Sequence, residues 1–138
     1  MDMSGYYKKS AGKVVELKQQ SQLNLWSENI IELIIPDGCE TVWCWDNQLK
    51  ELIIPDGCKK VWCHNNQLTE LILPDGCEYI YCDNNQLKEL IIPDGCKIVR
   101  CENNQLKELI IPKWCEWVWA DMKSVTELNK VDHLELWI

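Results

Sequence analysis

Cys58-Lys59-Lys60-Val61-Trp62-Cys63-His64-Asn65-Asn66-Gln67-Leu68-Thr69-Glu70-Leu71-Ile72-Leu73-Pro74-Asp75-Gly76 is one full period of this chain, and Cys77 opens the next. The pentapeptide Ile-Pro-Asp-Gly-Cys stands at 35–39, 54–58 and 92–96, and Leu replaces its first residue at 73–77. A divergent copy, Ile111-Pro112-Lys113-Trp114-Cys115, follows, and each copy begins 19 residues after the one before. Asn-Gln-Leu returns with the same step at 47–49, 66–68, 85–87 and 104–106. A fixed step sustained this far is the mark of a solenoid, in which each unit buries its apolar face only against its neighbours.

Within the unit, Val61 and Cys63 flank Trp62, an apolar-inward, variable-outward alternation of period two that specifies a strand. Asn-Asn-Gln turns the chain, and Leu-Lys-Glu-Leu-Ile-Ile is a second extended segment. Pro-Asp-Gly then suits a tight turn, because proline presets φ and glycine accepts the positive φ such turns often need. Nineteen residues leave no room for a full helix beside two extended segments. The expected fold is a mainly β repeat solenoid with two extended sides per coil, one a parallel sheet, and little or no helix in the repeats. One domain is expected over 1–138: an N-terminal cap at 1–19, about six repeats over 20–131, and a C-terminal capping strand at 132–138. Leu23, Leu25, Ile30 and Leu33 match the core columns ahead of the first full motif, with Glu28 in the Asn column. Val118, Ala120, Val125 and Leu128 match at the other end, with Lys123 in that column.

Cys58, Val61, Cys63, Asn66 and Leu68 fall on the pattern L-x-x-L-x-L-x-x-N-x-L, so the unit resembles a leucine-rich repeat with Cys at two of the usual Leu positions. It is most similar to the short, proline-containing repeats of effector proteins from intracellular bacteria and of proteins from large DNA viruses, over about residues 20–131. The resemblance implies that Asn47, Asn66, Asn85 and Asn104 sit inside the coil, their amides bonded to backbone groups at the bend. It also implies a viral or bacterial protein that engages host proteins. Enzymes of the effector family carry a separate catalytic domain, for which this chain has no room.

The 138 residues include 9 Cys, 8 Trp, no Phe and a formal net charge of −8. With 22 acidic against 14 basic residues, direct nucleic-acid binding is disfavoured, since phosphate contacts need clustered Lys and Arg. No apolar run approaches the ~20 residues of a membrane span. The amino terminus lacks the apolar core of a signal peptide, so an intracellular location, cytoplasm or nucleus, is expected. The cysteines form two columns, Cys39, Cys58, Cys77, Cys96, Cys115 and Cys44, Cys63, Cys82, Cys101. Their five-residue gap within a unit departs from the C-x₂₋₄-C of common zinc sites. An odd total at Leu-equivalent positions reads as buried free thiols, kept reduced in a cytosolic setting, with no metal or cofactor.

The residues that face outward between core positions differ from rung to rung. The column through residue 62 reads Asn24, Trp43, Trp62, Tyr81, Arg100, Trp119. Two residues later it reads Trp26, Trp45, His64, Asp83, Glu102, Asp121, and two residues earlier Gln22, Thr41, Lys60, Tyr79, Ile98, Trp117. The candidate binding face is therefore Trp26, Trp43, Trp45, Trp62, His64, Tyr79, Tyr81, Asp83, Arg100, Glu102, Trp117 and Trp119. Contiguous exposed aromatics mark interfaces, and Trp, Tyr and Arg are enriched at binding hot spots. The competing reading is a ladder of rings that stabilises neighbouring rungs. On the other side, alternation leaves Ile72 exposed between inward Leu71 and Leu73, in a column with Ile34, Ile53, Ile91 and Ile110 that is either an apolar stripe or covered by residues 2–20. Trp114 reads as an exposed anchor or part of the end cap.

No catalytic set emerges. His64 adjoins Cys63, but strand neighbours point to opposite faces. Asp83 and Glu102 on adjacent rungs have a spacing that suits glycosidase chemistry, but a flat, solvated surface supplies no pocket. The Asp-Gly turns at 37, 56, 75 and 94 read as plain turns rather than calcium sites. The expectation is a protein-binding scaffold with a protein partner, the acidic balance pointing toward a basic one, and no enzymatic activity. A self-associating structural protein is the alternative, and a carbohydrate-binding module a weaker one.

Overall fold

The computed structural model describes residues 5–121 and the backbone of a strand at 135–137. The repeat positions assigned to Lys123, Val125 and Leu128 lie outside the described residues. The fold is a β-solenoid of about five turns, with no helix among the described residues. Eleven strands run in chain order: β1 Gly5–Lys9, β2 Val14–Leu17, β3 Gln22–Asn24, β4 Ile30–Ile34, β5 Thr41–Trp43, β6 Glu51–Ile53, β7 Lys60–Trp62, β8 Tyr79–Tyr81, β9 Ile98–Arg100, β10 Trp117–Trp119 and β11 Glu135–Trp137.

One side of every coil contributes a three-residue strand to a parallel sheet of order β11-β10-β9-β8-β7-β5-β3. The register advances by 19 residues per rung, Val42 beside Val61, Val61 beside Ile80, and Ile80 beside Val99. Within the segment expected as a C-terminal capping strand, 132–138, the described part is β11, which pairs parallel to β10. On the second side, β4 and β6 pair in parallel, but the ladder ends there. In later turns this side packs inward Leu71, Leu90 and Leu109 and keeps single rung-to-rung hydrogen bonds, such as Gln86 N–H to the Leu68 carbonyl at 2.8 Å.

The core is one continuous column of Leu, Ile, Val and Cys between the two sides. Its corners are turned by two devices. At the Pro-Asp-Gly turns, Gly38, Gly57 and Gly76 take φ of 89°, 88° and 82°, a region that glycine enters without a Cβ clash. At the opposite corners Asp46, Asn65, Asn84 and Asn103 take φ of 53–56°, the left-handed region that Asp and Asn tolerate best after glycine. The residue after each of these points inward. Asn66 Nδ2 donates to the carbonyls of Cys63 at 3.0 Å and Cys44 at 3.1 Å, while its Oδ1 accepts from the N–H of Leu49 at 2.9 Å. Asn85 repeats this with Cys82, Cys63 and Leu68, and Asn104 with Cys101, Cys82 and Leu87. Asn47 ends the column by accepting from the N–H groups of Glu28 and Ile30. Each carboxamide thus satisfies buried backbone groups of its own turn and the turn before, which is where an open corner would otherwise leave them unpaired.

All nine cysteines are buried and free. Cysteines after the later Pro-Asp-Gly turns also donate weak S–H bonds to the preceding rung, Cys77 to the carbonyl of Lys59 at 3.6 Å and Cys96 to that of Glu78 at 3.5 Å. Cysteine here fills a small core position, and its thiol adds a weak bond to a carbonyl that already accepts two backbone N–H groups of the next rung. Burial pushes Cys77 and Cys101 up to about 12, and also raises Cys44, Cys63 and Cys82 above the ordinary thiol value. In the pairs Cys39–Cys58 and Cys96–Cys115 the hydrogen bond between thiols raises Cys58 and Cys96 and lowers Cys39 and Cys115.

Residues 5–17 form an antiparallel hairpin, β1 with β2, whose first strand pairs antiparallel with β4. It caps the edge of the second sheet and does not lie over the isoleucine column. Gly5 makes the approach possible, since a Cβ there would come within 2.2 Å of the Ile34 carbonyl oxygen and 2.6 Å of Pro36. Tyr6 Oη donates to the Glu32 carboxylate, Tyr7 packs on the core, and Ser10 N–H donates to Asn29 O at 2.8 Å.

Candidate binding face

The parallel sheet brings the twelve candidate residues onto one face. The strands alternate as their sequence dictates, with Val42, Val61, Ile80, Val99 and Val118 fully buried while the residues on either side face out. The rings meet down the columns. Trp26 stacks on Trp45 with centroids 5.7 Å apart, and Trp45 on His64 at 5.3 Å. One column over, Trp43 stacks on Trp62 at 5.9 Å and Trp62 on Tyr81 at 5.2 Å. In the third column Lys60 Nζ lies 5.3 Å from the Tyr79 ring centroid. Trp117 stacks on Trp119 at 6.1 Å, and the Arg100 guanidinium covers Trp119 at 5.5 Å. The aromatic band therefore crosses the sheet diagonally, from the Trp26 column at the N-terminal rungs to Trp117 at the C-terminal ones.

Stacking half-buries most of these rings against each other, whereas Trp26, at the open end, keeps 47% of its surface exposed. The ladder geometry is thus part of the fold, and the same rings still present one broad edge-and-face surface outward.

Where the Trp26 column turns acidic, the surface is less solvated than the alternation implies. Asp83 is only 8% exposed, because it sits at the corner between His64 and Glu102 with the Asn84 amide donating to it at 3.1 Å. Arg100 Nε donates to Glu102 Oε1 at 3.1 Å, and its terminal nitrogen binds the same oxygen. Glu102 Oε2 and His64 Nδ1 are buried without a hydrogen-bond partner among the described residues. Asp121 accepts from the N–H of Asn103. Among the described residues no group of three or more His, Cys, Asp or Glu could hold a metal ion.

Sequence reading alone did not place Lys60 against Tyr79, nor Arg100 over Trp119 and against Glu102. The signal was present in the 19-residue step, which puts residues 60 and 79, and 100 and 119, on adjacent rungs of one column. It also did not extend the face to β11, where Glu135 and Trp137 hold the register positions beside Trp117 and Trp119.

On the opposite side, Ile53, Ile72, Ile91 and Ile110 are exposed, and Ile34, beside the hairpin, is partly covered. Trp114 is exposed, with Lys113 Nζ 5.2 Å over its ring. No described helix is long and apolar enough to cross a membrane. Comparison with protein-family models, curated proteins and solved structures finds no match to this chain.

Proposed function

We propose that this chain is a non-enzymatic protein-binding scaffold of the leucine-rich-repeat kind, which engages its partner through the aromatic and acidic face of the parallel sheet. The observation that carries the reading is a contrast between neighbouring positions. Inside, the same columns hold Val or Ile and Cys through the four turns from Val42 to Cys101, while the positions between them change from Trp to Tyr to Arg. A ladder serving the scaffold alone has no need of a different residue on each rung, whereas a surface matched to a partner does.

The chemistry of the acidic corner favours a cationic partner. Glu102 keeps one buried oxygen without a donor, next to Asp83, and the chain carries a formal net charge of −8. That excess of negative charge would attract a Lys- or Arg-rich surface at long range and speed the encounter at low salt. The similarity of the short, cysteine- and proline-containing unit to repeats of bacterial effectors and large DNA viruses supports an intracellular setting in which the partner is a host protein.

The test is paired. Trp43→Ser with Trp62→Ser, and separately Glu102→Gln, are compared with the parent for melting temperature and for capture of partners from host-cell lysate. Loss of a specific captured protein in a variant that remains folded is the expected result. Lower melting temperature with unchanged capture would assign the rings to scaffold stability instead.

A further inference from the structure

On the side of the solenoid away from the aromatic face, Ile53, Ile72, Ile91 and Ile110 form a straight stripe, 56%, 78%, 83% and 58% exposed. Two shallow grooves run between successive isoleucines. The first is bordered by Ile72, Ile91, Glu70, Asp75 and Glu89. The second is bordered by Ile91, Ile110, Glu89, Asp94 and Glu108. At the Ile53, Ile72 and Ile91 rungs the stripe is therefore edged on both sides by carboxylates, Glu on one side and the Asp of the Pro-Asp-Gly turn on the other, while at the Ile110 rung Lys113 takes the Asp place. Lys50, Lys88 and Lys107 stand one residue further out, but Thr69 takes that place at the Ile72 rung, so the centre of the stripe is its most acidic part.

A second copy of this chain fits the stripe poorly. In a face-to-face pair, a two-fold axis along the stack sets Glu columns against Asp columns, and an axis across it sets each against its own kind. Either arrangement desolvates like charges together. A partner with a central apolar strip and cations on both flanks meets no such cost.

The spacing favours a helix as that partner. Rungs repeat at about 4.8 Å, close to the ~5.4 Å pitch of an α-helix laid along the stack. The Glu column stands two extended residues, about 6.6 Å, from the Ile column, and the Asp column lies beyond the turn on the other flank. The gap between carboxylates thus suits a helix of about 10–12 Å diameter whose lysines reach outward to both sides. We propose that the isoleucine stripe docks a basic amphipathic helix of another protein, separately from whatever occupies the aromatic face.

The probe is a fluorescently labelled peptide of Leu and Lys in helical amphipathic spacing, read by anisotropy against the full chain. Saturable binding that weakens as salt rises is expected, and Ile72→Glu with Ile91→Glu should weaken it at least about tenfold. That loss is diagnostic because the added carboxylates increase the general attraction for a cation. Ile72→Ser with Ile91→Ser gives the same comparison without new charge, and Glu70→Gln with Glu89→Gln should weaken binding by shortening its salt dependence. Trp43→Ser with Trp62→Ser should leave it unchanged, whatever becomes of the aromatic-face reading. Undiminished binding in both isoleucine variants, equal binding of a scrambled peptide of the same composition, or loss confined to the tryptophan variant overturns the proposal. So does a concentration-dependent dimer in light scattering that the isoleucine variants abolish, which would make a second copy the occupant.

Discussion

The Oδ1 of Asn66 accepts the backbone N–H of Leu49, one turn earlier, at 2.9 Å. Its Nδ2 at the same time donates to carbonyls of both turns, so one side chain stands in for the backbone pairing that is lost where the coil bends.

Asn66→Ala therefore exposes one donor and two acceptors to a corner that water reaches poorly, since Asn66 is buried. Each unsatisfied buried group costs about 1–3 kcal/mol, so a loss of at least about 3 kcal/mol is expected in urea unfolding followed by circular dichroism. Asn66→Asp should be as damaging, because a carboxylate replaces the donor with an acceptor facing two carbonyls. A loss under 1 kcal/mol in either variant would show that the corner is held by something else.

Much of this architecture was legible before any coordinates. The 19-residue step defines the rungs, and Val61 and Cys63 around Trp62 define inside and outside. What the step could not show is how far each side pairs: among the described residues the second side forms a parallel ladder only at β4 and β6, although its Leu-Lys-Glu-Leu sequence repeats through later turns. The residues before Asn47, Asn66, Asn85 and Asn104 are Asp or Asn at every rung, a readable sign of left-handed φ at the corner. The hairpin at 5–17 belongs to no repeat, so periodicity was silent on it. Alternation turns Asp83 outward but does not report how closely the corner closes over it, which is why its burial is not legible in the sequence.

Gly5→Ala should detach the N-terminal cap. The added Cβ would meet the Ile34 carbonyl and the Pro36 ring, backbone and ring atoms that have little freedom to yield. Faster hydrogen exchange is expected in residues 5–17 and at β4, with the seven-stranded sheet protected as before. Exchange unchanged in the hairpin would mean that the backbones separate at no cost.

Alkaline pH should unfold this protein earlier than its charge alone implies. Burial raises Cys77 and Cys101 to about 12 from an ordinary value of 9.0, so the native state holds these protons after the unfolded chain has lost them. The stabilisation is complete below pH 9.0 and declines from there as pH climbs through the folded values. Each such thiol contributes a slope of about 1.4 kcal/mol per pH unit. Urea midpoints by circular dichroism should thus fall steeply between about pH 9 and 11, and Cys77→Ala with Cys101→Ala should flatten the decline while lowering stability at neutral pH. A flat profile in the parent would refute the linkage.

Trp62 is stacked on both sides, by Trp43 and Tyr81, while Trp26 is stacked only on Trp45 and stays half exposed. Stacked pairs contribute about 0.5–1.5 kcal/mol each beyond the area they bury. Trp62→Ser should therefore destabilise by about 2–4 kcal/mol and Trp26→Ser by about 1 kcal/mol or less. If the two variants differ this way in stability yet weaken partner capture alike, the whole band meets the partner while its central rungs also hold the coil together. Equal destabilisation by both would instead mean that interior stacking adds nothing over the edge, and that the rings of the central rungs are held out for contact alone.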